Sequence, residues 1–151
     1  MLAQSPMNQS KFTNEEIEVM NNAVFYHPTL ENVIVFKQIE NPTVESYGYM
    51  LDILTNLAEK LDYHYTLSDL SLIKGKYSKD MRDFAKNYMK GHRNPSLHIA
   101  SVIDVNILMK LMTKFMAGVK PSFSFSIHKT LEEAEQKIAD LIEKREAEST
   151  S

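Results

Sequence analysis

Two aspartates follow segments with the composition of β-strands, and a carboxylate in such a place can bind a ligand or accept a proton. Asp69 lies at the carboxyl end of the strand-like run from Tyr63 to Leu70, and Asp104 follows the run from Leu97 to Ile103. Ligands of open α/β sheets bind at the carboxyl ends of the strands, so the two carboxylates could share a cleft, where one could act as a general base. The alternative is that Asp69 stabilises a turn and Asp104 caps the following helix.

Ser78 begins a segment with helical spacing, and two cations follow it in the first turn. A phosphate at this position would be stabilised by the free backbone N–H groups and the dipole of the helix. Lys79 and Arg82 are near enough in sequence to pair with such a phosphate. Ser78 is therefore the candidate phosphorylation site. The alternative is an unmodified N-cap, which is a common role of serine.

The helix predicted from Ser78 carries its basic residues on one face. At about 100° per residue, these cations fall within an arc of about 80°. They are Lys79, Arg82, Lys86, Lys90 and Arg93. Such a stripe can bind an acidic partner, a phosphorylated ligand or an anionic membrane surface. The alternative is an outer face that contacts only solvent.

The segment 105–116 is apolar over an arc of about 200°, whereas a helix that packs on a sheet needs an arc of roughly 100°. The excess flank consists of Met109, Met112 and Met116. Because methionine adapts to different partners, this flank predicts an oligomer interface or an apolar ligand pocket, to which Tyr47 and Met50 would also contribute. The alternative is contact with a neighbouring helix of the same chain.

Residue types that would indicate metal or cofactor chemistry lack the necessary spacing. The five histidines stand in separate segments, the four glycines form no phosphate-binding loop, and there is no cysteine. We therefore expect no metal, no cofactor and no catalytic residue. A net charge of −3 argues against nucleic-acid binding. The chain has no apolar run of about 18 residues and no pattern of a secretory signal, so a cytoplasmic protein without a transmembrane segment is expected.

The periodicity of apolar residues predicts one domain of alternating strands and helices. Residues 1–20 are expected to be a flexible N-terminal segment, residues 21–147 the domain, and residues 148–151 a flexible tail. Asn41 is expected to cap the first long helix. The order β-β-α-β-α-β-α-β-α predicts an α/β fold, with a mostly parallel mixed sheet of about five strands, about four helices and an antiparallel hairpin at one edge.

This element order, with Asp69-Leu70-Ser71 at the end of the third strand, resembles that of STAS domains, the SpoIIAA-like family of anti-sigma-factor antagonists, over about residues 23–145. The resemblance implies a non-enzymatic domain that binds a partner kinase and is controlled by phosphorylation of an Asp-Ser-Ser-Gly loop. That loop corresponds to Tyr77-Ser78-Lys79-Asp80, in which Lys79 stands at the phosphoacceptor position and Asp80 replaces the glycine. The chain therefore looks like the divergent branch without the phosphoacceptor motif, which shares features with CRAL-TRIO-type lipid-binding domains.

Three classes of function follow from these observations. The leading hypothesis is a non-catalytic regulatory or protein-interaction module that binds a protein partner or a second copy of itself. Its expected contact residues are Asp69, Ser71, Ser78, Lys79, Arg82, Lys86, Met109, Met112 and Met116. The alternative is a carrier of a small apolar or lipid-like ligand. An enzyme comes third, because it would need Asp69, Asp104 or a histidine to converge in one cleft.

Overall fold

The computed structural model describes residues 11–72, 78–91, 96–107 and 124–150. The five strands are β1 (Val24–Tyr26), β2 (Val33–Lys37), β3 (Tyr65–Asp69), β4 (His98–Val102) and β5 (Ser124–His128). The helices are α1 (Asn14–Ala23), α2 (Val44–Ala58), α3 (Lys79–Gly91) and α4 (Leu131–Thr150). Residues 105–107 are also helical, and the segment that follows them lies outside the described residues.

The strands form one mixed sheet in the order β1-β2-β3-β4-β5. β1 pairs antiparallel with β2, and the other three pairs are parallel. The turn between β1 and β2 is short, and Asn32 adopts a left-handed backbone conformation there with φ 59°. Asparagine tolerates this region better than most residues. The α/β fold, the mostly parallel sheet and the antiparallel edge are thus confirmed.

Alternation along β2 separates the core into two layers, because successive side chains of a strand point to opposite faces. Ile34 and Phe36 pack under α1 and α2, together with the fully buried Met20 and Tyr49. Val33 and Val35 pack on the other face, against α4. That second layer contains Val33, Val35, Tyr65, Leu67, Ala100, Val102, Ala134 and Ile138. β2 and most of β3 are therefore covered on both sides.

Two polar contacts hold α4 against the other face of the sheet, in addition to its apolar stripe. His27 Nδ1 accepts hydrogen bonds from the backbone N–H groups of Thr29 and Leu30, so its Nε2 carries the proton that it donates to Glu135, 2.6 Å away. Near the other end of the helix, the Arg145 guanidinium lies 4.0 Å above the centre of the Tyr63 ring. Cation–π contacts of this kind stabilise the packed position of a helix.

The helix ends differ from the expected boundaries in three places. α1 begins at Asn14, before the boundary expected at residue 21, because Thr13 and Glu16 form a complete capping box and Met20 is buried in the core. α2 is capped by Thr43 rather than Asn41, whose left-handed φ of 49° places it in the preceding turn. α4 continues to Thr150, beyond residue 147.

Among the described helices, none has a stretch that is both long and apolar enough to cross a lipid bilayer.

Replacing Ile138 by alanine should lower the free energy of unfolding by about 3 kcal/mol, because the side chain is fully buried and its loss leaves a cavity between α4 and the sheet. Urea denaturation followed by circular dichroism would measure the change. Glu143→Ala, on the exposed face of the same helix, is the matched control and should stay within about 0.5 kcal/mol of the original protein. Equal losses in both variants would contradict the described packing of α4.

Candidate functional site

The four parallel strands all end at one side of the sheet, which we call the carboxyl edge: the ends of β2 to β5 and the residues that follow them. In the ladder, Asp69 lies opposite Lys37 and Val102, and Val102 lies opposite His128. Crevices at such edges are the usual ligand sites of open α/β sheets. The described part of the carboxyl edge contains two clefts.

The β4–β5 cleft is a space of about 810 Å³ where β4 and β5 end. It brings together Ser71, Asp104 and His128 but not Asp69. Lys129 and Glu133 also line it, and Val105 stands at its border with 57% of its surface exposed. The volume lies within the range of small-molecule sites.

The carboxylates around this cleft are engaged with nearby backbone. Asp69 Oδ1 accepts hydrogen bonds from the backbone N–H and the hydroxyl of Ser71, at 3.2 and 2.6 Å. Asp104 Oδ1 accepts from the N–H groups of Asn106 and Ile107, at 2.9 and 3.1 Å. Glu133 Oε2 accepts from the N–H of Lys129 at 3.0 Å. Asp69 therefore has the turn role and Asp104 the capping role that the sequence offered as alternatives to ligand binding.

The second cleft, the α1 groove, lies between α1 and the segment 37–43 and has a volume of about 770 Å³. Its apolar lining consists of Phe12, Val19, Met20, Ala23, Ile39 and Leu72. Two residues adjacent in sequence line different clefts, since Ser71 lines the β4–β5 cleft and Leu72 lines the α1 groove. The capping pattern from Thr13 to Glu16 indicated a helical turn, but sequence reasoning placed residues 1–20 in a flexible segment and so did not predict this groove.

Ser78 caps α3, because its Oγ accepts a hydrogen bond from the backbone N–H of Met81 at 3.2 Å. Lys79 Nζ donates to Asp83 Oδ2 at 3.0 Å, and both side chains are largely exposed. Part of the basic stripe is therefore neutralised within the helix itself. Lys86 belongs to α3, but its side chain is outside the described part of the structure, as are residues Met109, Met112 and Met116.

The two residues that the sequence associated with an apolar pocket belong to the packed core. Met50 is 1% exposed. Tyr47 is partly buried and makes edge contacts with Phe36 and Phe84, whose ring centres lie 5.8 and 6.1 Å away. Neither residue lines a described cleft.

A chain of serines and histidines crosses β4 and β5 beneath α4. Ser124 Oγ donates to the carbonyl oxygen of Leu97 at 2.8 Å and so accepts from His98 Nδ1 at 2.9 Å. His98 Nε2 lies 2.8 Å from Ser126 Oγ, which lies 2.6 Å from His128 Nε2. When His98 is neutral with its proton on Nδ1, its Nε2 accepts a hydrogen bond from Ser126 Oγ, and Ser126 Oγ in turn accepts one from His128 Nε2.

The neutral form of His98 fits this hydrogen-bond chain, and the surroundings favour that form. Burial lowers the pKa of His98, and the nearby charges of Lys137 and His128 lower it further. Burial also lowers the pKa of His128; Lys137 adds to the shift, and Glu133 opposes it. Sequence reasoning treated these histidines as isolated, because the register of β4 against β5 cannot be derived from residue spacing alone.

A second buried histidine, His64, lies just before β3 begins, at the same end of the sheet as His98. His64 is 2% exposed, and its Nε2 lies 2.8 Å from Ser96 Oγ. The Ser96 hydroxyl is also hydrogen-bonded to Thr66. Burial lowers the pKa of His64. Among the residues described, no group of three or more histidines and carboxylates is arranged to hold a metal ion.

The free energy of unfolding should fall as the pH drops below about 6.5, the ordinary pKa of histidine. His64, His98 and His128 have lowered pKa values in the folded chain, so in this range the unfolded chain binds more protons and acid favours it. Urea unfolding between pH 7.5 and 5.5, above the titration of ordinary carboxyl groups, would measure the slope. His98→Gln should make the free energy of unfolding change less steeply with pH. Equal stability across this range in the original protein would refute the conclusion that these histidines are neutral in the folded chain.

Comparison of the chain with protein-family models, with curated proteins and with solved structures gives no significant match in any of the three. Inference about function therefore depends on the geometry of this chain, above all on the two clefts at the carboxyl edge.

Proposed function

We propose that the chain is a non-catalytic regulatory or protein-interaction module that contacts its partner through the carboxyl edge of the sheet. One observation carries the proposal: Val19, Leu72 and Val105 are large apolar residues that stand beside the two clefts with 54%, 52% and 57% of their surface exposed. Apolar side chains that cluster on a surface among polar residues are typical of interaction sites.

The chemistry of the edge favours binding over catalysis. Asp69, Asp104 and Glu133 accept hydrogen bonds from backbone N–H groups, a role that fixes turns and helix ends. A general base needs a carboxylate or imidazole directed at a substrate. Asp69 and Asp104 instead fix the turns next to Leu72 and Val105, and Glu133 fixes the turn before α4.

The resemblance to SpoIIAA-like domains supports the same surface. In that comparison, Ser71 follows the third strand, and the regulatory loop of the signalling members corresponds to the start of α3. A phosphate on the Ser78 Oγ would lie at the N-terminus of α3 beside Lys79, where helix dipole and charge both favour it. We include Ser78, with Lys79 and Arg82, in the proposed contact surface, and we place the protein in the cytoplasm.

Site-specific photo-crosslinking should distinguish the carboxyl edge from the rest of the surface. A benzoylphenylalanine in place of Leu72 should give discrete cross-linked products in cells that express the protein, because this side chain lies at the proposed interface. The matched control is the same replacement at Leu97, a leucine that is 39% exposed just before β4 begins, at the opposite edge of the sheet. Products of similar yield from both positions, or from neither, would exclude the proposed surface.

A carrier of a small apolar ligand is the second candidate, because the volume and apolar lining of the α1 groove match those of small-ligand sites. Native mass spectrometry of the gently purified chain should then show an added mass of a few hundred daltons. Val19→Trp, which fills the groove, should remove the added mass, whereas Val105→Trp in the β4–β5 cleft should retain it. A single unliganded mass for the original protein would reject this candidate.

A further inference from the structure

The α1 groove combines an apolar floor with a mainly acidic border. Glu15, Glu16 and Glu40 line it, and Lys37 is the one cation among its described lining residues. Val19 and Leu72, each more than half exposed, extend the apolar floor toward solvent. A ligand that satisfies this surface must therefore supply both apolar groups and positive charge.

Both walls of the groove are fixed by contacts within the chain. On one side, α1 is held by its capping box, by the Tyr49 hydroxyl that donates to Asn21 at 3.2 Å, and by the contact of Phe12 with the Tyr49 ring. On the other side, the backbone N–H of Gln38 donates to the Asp69 carbonyl at 2.9 Å. A groove with fixed walls loses little conformational entropy when a ligand binds.

We propose that the α1 groove binds a basic amphipathic segment of a partner protein, with apolar residues on Val19 and Leu72 and with Lys or Arg side chains facing Glu15 and Glu40. This inference rests on the proposed function and adds the chemistry of the partner. The groove is open to solvent along α1, so it offers an extended partner more contact than a small molecule. Its acidic border repels anionic lipid surfaces and nucleic acids.

The test uses the full-length chain and two synthetic 14-residue peptides of one amphipathic pattern, one made of leucine and lysine and the other of leucine and glutamate. We expect the leucine–lysine peptide to shift the backbone amide signals of residues 12–23 and 37–41 in two-dimensional NMR spectra. The leucine–glutamate peptide should produce no saturable shift, because its charges face the glutamates of the groove. Equal binding of both peptides, or shifts confined to α4, would overturn the proposal.

Charge reversal provides a matched pair of variants. The double variant Glu15→Lys with Glu40→Lys should weaken binding of the leucine–lysine peptide about tenfold at low salt, since both carboxylates border the groove. Glu18→Lys changes a carboxylate of the same helix that does not line the groove, and it should change the affinity less than about twofold. Circular dichroism would verify that all variants remain folded. Equal weakening of peptide binding in both variants would show that the overall charge of α1 determines the affinity. It would overturn the proposal that the peptide binds in the α1 groove.

Other occupants give different results. Saturable binding of the neutral fluorophore N-phenyl-1-naphthylamine, blocked by Val19→Trp, without binding of the leucine–lysine peptide, would assign the groove to a small apolar ligand. Analytical ultracentrifugation could instead show a mass that doubles as the protein concentration rises and returns to the monomer value in Val19→Asp. That result would assign the groove to a second copy of the chain. Cross-linking at Leu72 without binding of the leucine–lysine peptide would refute the proposal of a basic partner segment. It would not contradict the proposed interaction surface at the carboxyl edge.

Discussion

Burial of β2 and β3 on both faces is the constraint from which the positions of the other elements follow. A parallel strand covered on both sides needs a helix layer above and another below. Here the two layers are α1 with α2 on one face and α4 on the other. Since strands that run parallel must be joined across the sheet, each connection between successive strands from β2 to β5 leaves the carboxyl edge and returns to the opposite edge, where these strands begin. Loops and helix starts therefore gather at the carboxyl edge.

This arrangement explains why the carboxyl edge carries both hydrogen-bonding carboxylates and exposed apolar side chains. The turns that end β3 and β4 need acceptors for free backbone N–H groups, and Asp69 and Asp104 provide them. The same turns leave Leu72 and Val105 outside the two helix layers, where no described element covers them fully. The exposed apolar surface is thus a consequence of where the helix layers end, and it is available to a partner.

Polar residues beneath α4 show how the second layer tolerates buried imidazoles. Ala134 and Ile138 cover the apolar part of the sheet, whereas His98 lies in register with Ser124 on β5. A buried polar group is costly unless it is hydrogen-bonded. The chain from His128 through Ser126 to His98 and Ser124 meets this requirement, because each of the two imidazoles is hydrogen-bonded to a serine hydroxyl.

The amino-acid sequence by itself determined the order of the elements from β1 onward and the mostly parallel sheet with its antiparallel edge, and it offered turn and capping roles for Asp69, Ser78 and Asp104 as one of two alternatives for each. These features depend on side-chain periodicity and on capping contacts within a few residues, which spacing reveals directly. Only the tertiary structure decided that α1 packs on the core and forms the wall of a groove, that Tyr47 and Met50 fill the interior, and that His98 and His128 share one hydrogen-bond chain. Each of these depends on residues that are far apart in sequence, and strand register and helix placement bring them together only in the folded chain.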